Sequence, residues 1–189
     1  MQGENWYREE LSLVVEENLQ ALSRVDERAA DQLVQEILQA EKVFFAGVGR
    51  VLLSLQAITK RLAHLGINTH YVGEITEPAI TKNDLLIVGS GSGESVFPVS
   101  IAKKAKEIGA RIVHIGSNPN SSMLQYADFM VRIPVRTKLE LEDEIHSAQP
   151  MTSLFEQSLL LLGDIVAKRV IAIKDLDIHS LWQYHANLE

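Results

Sequence analysis

The chain has 189 residues, 46% hydrophobic and 23% charged, a globular composition that excludes a disordered or low-complexity role. Its 18 Lys and Arg against 25 Asp and Glu give a formal net charge of −7, so the whole-molecule field opposes a polyanion such as DNA, although a local pocket for one small phosphate remains open. There is no cysteine, which excludes disulfides, zinc–thiolate sites, iron–sulfur clusters and thiol nucleophiles.

A first helix is predicted over 6–23, where Leu11, Val14, Val15, Leu19 and Leu22 recur along one stripe. A second follows Asp26, with Ala30, Leu33, Val34, Ile37 and Leu38 on one face. Residues 1–42 hold ten acids and four bases, so this pair reads as a packing or assembly arm rather than a DNA reader. From Lys42 the rhythm changes to short apolar runs: 42–47, 68–73, 84–89, 111–116 and 128–133 read as strands. Helical patterns lie between them at 51–65, 96–108 and 121–127, with Gly66 and Gly109 at helix C′ positions and Pro98 in a first turn. The connection from 73 to 84 carries no helix. Buried strands alternating with helices predict a mostly parallel α/β sheet. A long helix over 153–174 covers it, and a short helix with a polar end follows. The expected division is one domain over 1–189: an N-terminal helical arm (1–41), an α/β core (42–174) and a C-terminal helix and tail (175–189).

The opening MQGENWYREE lacks the basic start and apolar run of a signal peptide. The most apolar stretch, 159–173, carries Asp164, Lys168 and Arg169, too many charges for a membrane span. A soluble cytoplasmic protein is expected, with no membrane or nucleic-acid partner.

The sharpest motif is Gly89-Ser90-Gly91-Ser92-Gly93-Glu94-Ser95, between the third strand and a helix. Its glycines let an anion approach the backbone, the hydroxyls of Ser90, Ser92 and Ser95 can donate to phosphate oxygens, and the helix start favours the same charge. The competing reading is a strand–helix turn with Ser95 as N-cap. The lysine of a P-loop is missing. Gly47-Val48-Gly49-Arg50 follows the first strand. A dinucleotide fingerprint requires glycine where Leu52 stands, which argues against a nicotinamide or flavin enzyme. Arg50 can clamp a phosphate or a sugar hydroxyl, or be a solvated surface charge. Glu156 sits in Ser153-Leu154-Phe155-Glu156, which fits a capping box. Beside Leu154 and Phe155 the same carboxylate suits a general base. His64 ends the helix that begins at Arg50, where imidazolium suits the dipole. The acid-rich stretch 140–144 reads as a solvated loop rather than a metal site.

Together GVGR, RLAHLG, YVGEITEP, DLLIVGSGSGES, SAQPMTSLFEQSLLLL and HANLE resemble the 6-phospho-3-hexuloisomerases of the sugar isomerase (SIS) fold family over residues 5–189. The resemblance implies a three-layer α-β-α, flavodoxin-like SIS domain with a five-stranded parallel sheet of order 2-1-3-4-5. It implies cofactor-free, metal-free interconversion of 3-hexulose 6-phosphate and fructose 6-phosphate, a step of formaldehyde fixation by the ribulose monophosphate route, in a homotetramer. By position it implies that Glu156 moves the proton between C2 and C3 through an enediol. His64 would serve ring opening or proton transfer between oxygens. Ser90, Ser92 and Ser95 with Gly91 and Gly93 would hold the phosphate, and Gly49 and Arg50 would line the first loop. Relatives usually read GAGRSG there, so Val51 and Leu52 replace a hydroxyl and a small residue. Two alternatives follow: an SIS isomerase for another sugar phosphate, and a non-catalytic SIS module that senses one.

Overall fold

The computed structural model describes residues 5–188. Helices α1 (Trp6–Ser23) and α2 (Glu27–Gln39) lead into strand β1 (Val43–Ala46) and helix α3 (Gly49–Ala63). Strands β2 (Thr69–Tyr71) and β3 (Leu85–Gly89), helix α4 (Val96–Ile108), strands β4 (Arg111–Gly116) and β5 (Phe129–Arg132) and helix α5 (Ser153–Ile173) complete the main elements. All four strand pairings are parallel and the order is β2-β1-β3-β4-β5.

The strands form where the sequence is apolar on both faces. Phe45, Leu85, Ile87, Val113 and Ile115 point into one core with α2, α3 and α5, while Phe44, Leu86, Val88 and Ile112 point into a second with Ala102 and Ala105 of α4. This alternation makes the three layers. On the first face α3 and α5 pack closely: a Cβ on Gly163 would lie 2.3 Å from Ile58 Cγ1. Asp26 caps α2 by accepting from the Arg28 amide (2.9 Å). Gly66 and Gly109 end α3 and α4 with φ of +74° and +93°.

The structure refines four points. The helix predicted over 121–127 is a single 3-10 turn, Ser122–Gln125, and the last helix is 3-10 as well, Ile178–Tyr184. The stripe of α1 is split: Leu11, Val15 and Leu19 are exposed, Val14 and Leu22 are half-buried with Leu22 against the core, and the helix buries Asn18 and Ala21. The acid-rich stretch is not simply solvated. Glu144 is buried and accepts from Ser117 Oγ (2.7 Å), the Thr137 amide and hydroxyl (3.1 Å each) and the Leu141 amide (3.0 Å). A buried carboxylate needs donors on both oxygens, and this turn supplies them.

Candidate active site

Strands β1 and β3 are neighbours whose chains continue in opposite directions, to β2 and to β4, so the loops after them part and leave a crevice. Gly47 and Gly89 line its floor. A Cβ on Gly47 would come within 3.4 Å of the Gly89 carbonyl, and Val51 lies against both glycines. Val51 also packs on the core of the first face. Its side chain is thus half-buried between the two glycine turns and the core. Gly49 opens α3 at φ +58°, with free space around its Cβ position, a backbone that side chains adopt only under strain.

Arg50 and Ser54, one turn apart on α3, both reach the start of α5. Arg50 Nε donates to Glu156 Oε2, and Ser54 Oγ donates to the Glu156 carbonyl (2.9 Å). Thr152 Oγ1 donates to the other carboxylate oxygen (2.9 Å). The Glu156 side chain is 9% exposed and that of Arg50 is 66% exposed, so the carboxylate is enclosed by the protein and its cation faces solvent. Helix capping is thus not what this carboxylate does. The N-cap is Thr152, not Ser153, and the carboxylate is held by two side chains.

The glycine–serine loop is tied down by hydrogen bonds to its carbonyls. The Ser90, Gly91, Ser92 and Gly93 carbonyls accept from Gly93, from Ser117 and Asn118, from Asn118 Nδ2 (3.2 Å) and from Met123. Gly93 has φ +66°, and a Cβ there would fall 2.2 Å from Ser121 Oγ. Among the described residues, the Gly91, Ser92 and Ser95 amides donate to nothing. The Ser90 and Ser92 hydroxyls accept from the Gly93 and Glu94 amides (3.1 and 3.3 Å), which leaves their own protons uncommitted. Ser95 occupies the N-cap position of α4 but makes no capping bond. Amides and hydroxyl protons converging at a helix start form an anion cradle. Phe155 lies 3.6 Å from the Cβ position of Gly91, so Glu156 is one residue from a side chain that touches this cradle.

Beneath the loop, His114 Nε2 donates to the Ser90 carbonyl (2.9 Å) and Nδ1 is bare and buried. Burial holds its pKa below the usual imidazole value, against the opposing pull of the Ser90 bond. His114, Ser117, Asn118, Ser54 and Thr152 support the site without having been singled out in the sequence. The available signal was positional: Ser117 and Asn118 follow the fourth strand as the serine loop follows the third.

His64 is not brought to Glu156. The helical run from Arg50 to His64 measures about 21 Å at 1.5 Å per residue, which puts the histidine at the opposite end of α3. There its ring stacks on His185 at 5.3 Å, beside a cavity of about 450 Å³ lined by Arg61, Leu65, Lys168, Leu181 and Trp182 among others. Its pKa is lowered by burial first, then by Lys60, Arg61 and His185.

A parallel sheet of this order, with an anion cradle and a buried carboxylate at its switch point, defines a phosphosugar-binding α/β protein. Residues 36–163 match the SIS domain. The chain is 40% identical to the 3-hexulose-6-phosphate isomerase of Bacillus subtilis, over 87% of this chain and 89% of that one. It is 39% identical to the same-named protein of Mycobacterium gastri, over 95% and 89%. The crystal structure of a Methanococcus jannaschii protein, reported as inferring a 3-hexulose-6-phosphate isomerase function, superposes with a TM-score of 0.83. That pair shares 32% identity over 96% of this chain and 99% of the other. The chain belongs to the SIS-domain family, in the branch that holds the 3-hexulose-6-phosphate isomerases.

Proposed function

We propose that the chain is a cofactor-free isomerase that interconverts 3-hexulose 6-phosphate and fructose 6-phosphate in the cytoplasm, in formaldehyde fixation by the ribulose monophosphate route. The observation that carries this reading is the Glu156 carboxylate, buried and clasped by Arg50 and Thr152, beside a cradle with free amides and hydroxyl protons. The phosphate would sit on Ser90, Gly91, Ser92, Gly93 and Ser95. Glu156 would take the proton from C2 of the 3-ulose and return it at C3 of the enediol. Arg50 would turn from Glu156 to the substrate oxygens and stabilise the charge that develops on them. Gly49 keeps the mouth of the first loop open.

His64 stands too far from Glu156 of its own chain to share a substrate with it. In the homotetramer proposed for the active form, it would move a proton between substrate oxygens at the site of another copy. NMR of fructose 6-phosphate in D₂O tests the reading. Deuterium at C3 together with formation of the 3-ulose is expected. Binding without exchange refutes it in favour of another phosphosugar or a sensor.

A further inference from the structure

The buried side chains of strand β4 are apolar but for His114. By the alternation of the strand it lies on the face that Ile112 presents to α4, and it is fully buried. Its ring makes one polar bond, from Nε2 to the Ser90 carbonyl (2.9 Å), while Nδ1 is buried without a partner among the described residues. A carbonyl only accepts, so Nε2 is the nitrogen that carries the proton. An aliphatic side chain would fill this place without burying a bare nitrogen. The bond to Ser90 is therefore what the imidazole adds. Gly116, two residues on, leaves room for it: a Cβ there would overlap both His114 Nε2 and the Ser90 carbonyl oxygen.

What this bond controls follows from the planarity of the peptide. In a trans peptide the carbonyl and the next amide point in opposite directions, so a Ser90 carbonyl held toward β4 turns the Gly91 amide away from it. The Gly91 carbonyl is held in the same manner by the Ser117 and Asn118 amides (2.8 and 3.1 Å), which turns the Ser92 amide outward. These are two of the amides left without a partner in the cradle. The second is aimed by backbone alone, whereas the first depends on a side chain. The other donor to the Ser90 carbonyl, the Gly93 amide, is 3.2 Å away and is shared with Ser90 Oγ (3.1 Å). Glycine at 91 gives the peptide plane before it little steric resistance to turning over.

We propose that His114 is a positioning residue for the anion cradle: its bond to Ser90 fixes the Ser90–Gly91 peptide plane so that the Gly91 amide faces the bound phosphate. Without that bond the plane turns and presents a carbonyl oxygen, which repels phosphate. The inference rests on the reading of this loop as the phosphate site and adds what aims its first amide.

Side-chain reach separates aiming from mere filling. The amide nitrogen of Gln stands as many bonds from Cβ as Nε2 of His, whereas that of Asn stands one bond nearer and falls short of Ser90. His114→Gln is expected to keep the wild-type KM for fructose 6-phosphate. His114→Asn and His114→Leu are expected to raise it about 10–100-fold, the loss of one hydrogen bond to a charged group, with kcat little changed. Gly116→Ala should reproduce that loss with the histidine in place. In ¹H–¹⁵N NMR the Gly91 amide should respond to fructose 6-phosphate and to inorganic phosphate in the wild type and in His114→Gln. In His114→Asn it should fall silent while the Ser92 amide still responds. Equal KM in the Gln, Asn and Leu variants, or a Gly91 amide that responds without the donor, overturns the proposal. Imidazole ¹⁵N shifts of the wild type decide it even where a variant does not fold, since a bare Nε2 at neutral pH overturns it as well. If neither the Gly91 nor the Ser92 amide of the wild type responds to either probe, the phosphate-site reading itself falls and takes the proposal with it.

Discussion

Replacing Glu156 by Gln removes the charge while keeping the shape, and the neighbours of the carboxylate allow a specific forecast. The amide oxygen can still accept from Arg50 Nε, and the amide nitrogen can donate to Thr152 Oγ1, a hydroxyl able to accept as well as donate. Both partners of the buried group therefore stay satisfied. The loss is the difference between charge-assisted and neutral hydrogen bonds, about 1 kcal/mol, partly offset by no longer burying a charge. At roughly 2–4 °C per kcal/mol for a chain of this size, Tm should move by no more than about 4 °C. Turnover should collapse, because an amide cannot take a proton. A positioned general base contributes about 10²–10⁴-fold, or roughly 3–5 kcal/mol of barrier. Deuterium incorporation from D₂O into fructose 6-phosphate measures the proton step, and calorimetry with the same sugar phosphate measures binding, expected to hold within a few fold. The reasoning fails if Glu156→Gln keeps a tenth or more of the exchange rate. It fails equally if binding, turnover and Tm fall together, for then the carboxylate is a structural brace.

Ser92→Ala removes from the cradle a hydroxyl that accepts from the Glu94 amide and has its own proton uncommitted; at about 1.5–3 kcal/mol for a bond to a charged group, KM should rise roughly 10–100-fold with kcat little changed, and an unaltered KM removes Ser92 from the phosphate site. Gly93→Ala must place a Cβ 2.2 Å from Ser121 Oγ at φ +66°; steady-state kinetics should show weakened phosphosugar binding, and wild-type KM at wild-type Tm would refute this account of the loop. Gly163→Ala drives a methyl into Ile58 at a cost of about 1–3 kcal/mol, to be read as a lower urea midpoint with intact kinetics. For pH, burial holds His114 neutral in the folded chain, whereas the unfolded chain protonates it below about 6.5. The unfolded state then binds more protons, so stability falls as pH drops from 6.5 toward the lowered folded pKa, by up to ~1.4 kcal/mol per pH unit for the group. The gap between urea midpoints at pH 7.5 and 5.5 should narrow in His114→Gln, with His64, whose pKa burial also lowers, keeping the remainder, and an unchanged slope would show that His114 is not the group responsible.

Strand positions were legible because buried parallel strands are apolar on both faces and end at glycine, as Leu85–Gly89 and Arg111–Gly116 do. Strand order was not a matter of spacing; it came with the family resemblance. The phosphate loop was legible as chemistry, since three glycines and three serines at a strand end have few other uses. The partners of Glu156 were not. Arg50 and Ser54 lie more than a hundred residues away in the chain, and Thr152 beside Ser153 offers the same hydroxyl one position earlier, which misplaces the cap. Periodicity showed that α1 has an apolar row but not that the core takes only part of it, because the rule reads spacing and not what lies opposite. In the run from Glu140 to Glu144, composition cannot single out the one acid whose turn surrounds it with donors. His64 was grouped with Glu156 by resemblance, and only the length of α3 separates them.

The internal pairing of Arg50 with Glu156 bears on how an anionic sugar phosphate arrives. With its cation engaged by the base, the crevice offers little net positive charge, while the chain as a whole carries −7. Diffusional encounter is thus mildly repelled at long range, and capture relies on short-range amides and hydroxyls that act only at contact. Raising ionic strength shortens the Debye length to ~10 Å at 0.1 M and damps the repulsion while leaving those contacts largely in place. Association with the phosphosugar should therefore quicken with added salt, the reverse of the slowing seen in enzymes that draw substrate in by opposite charge.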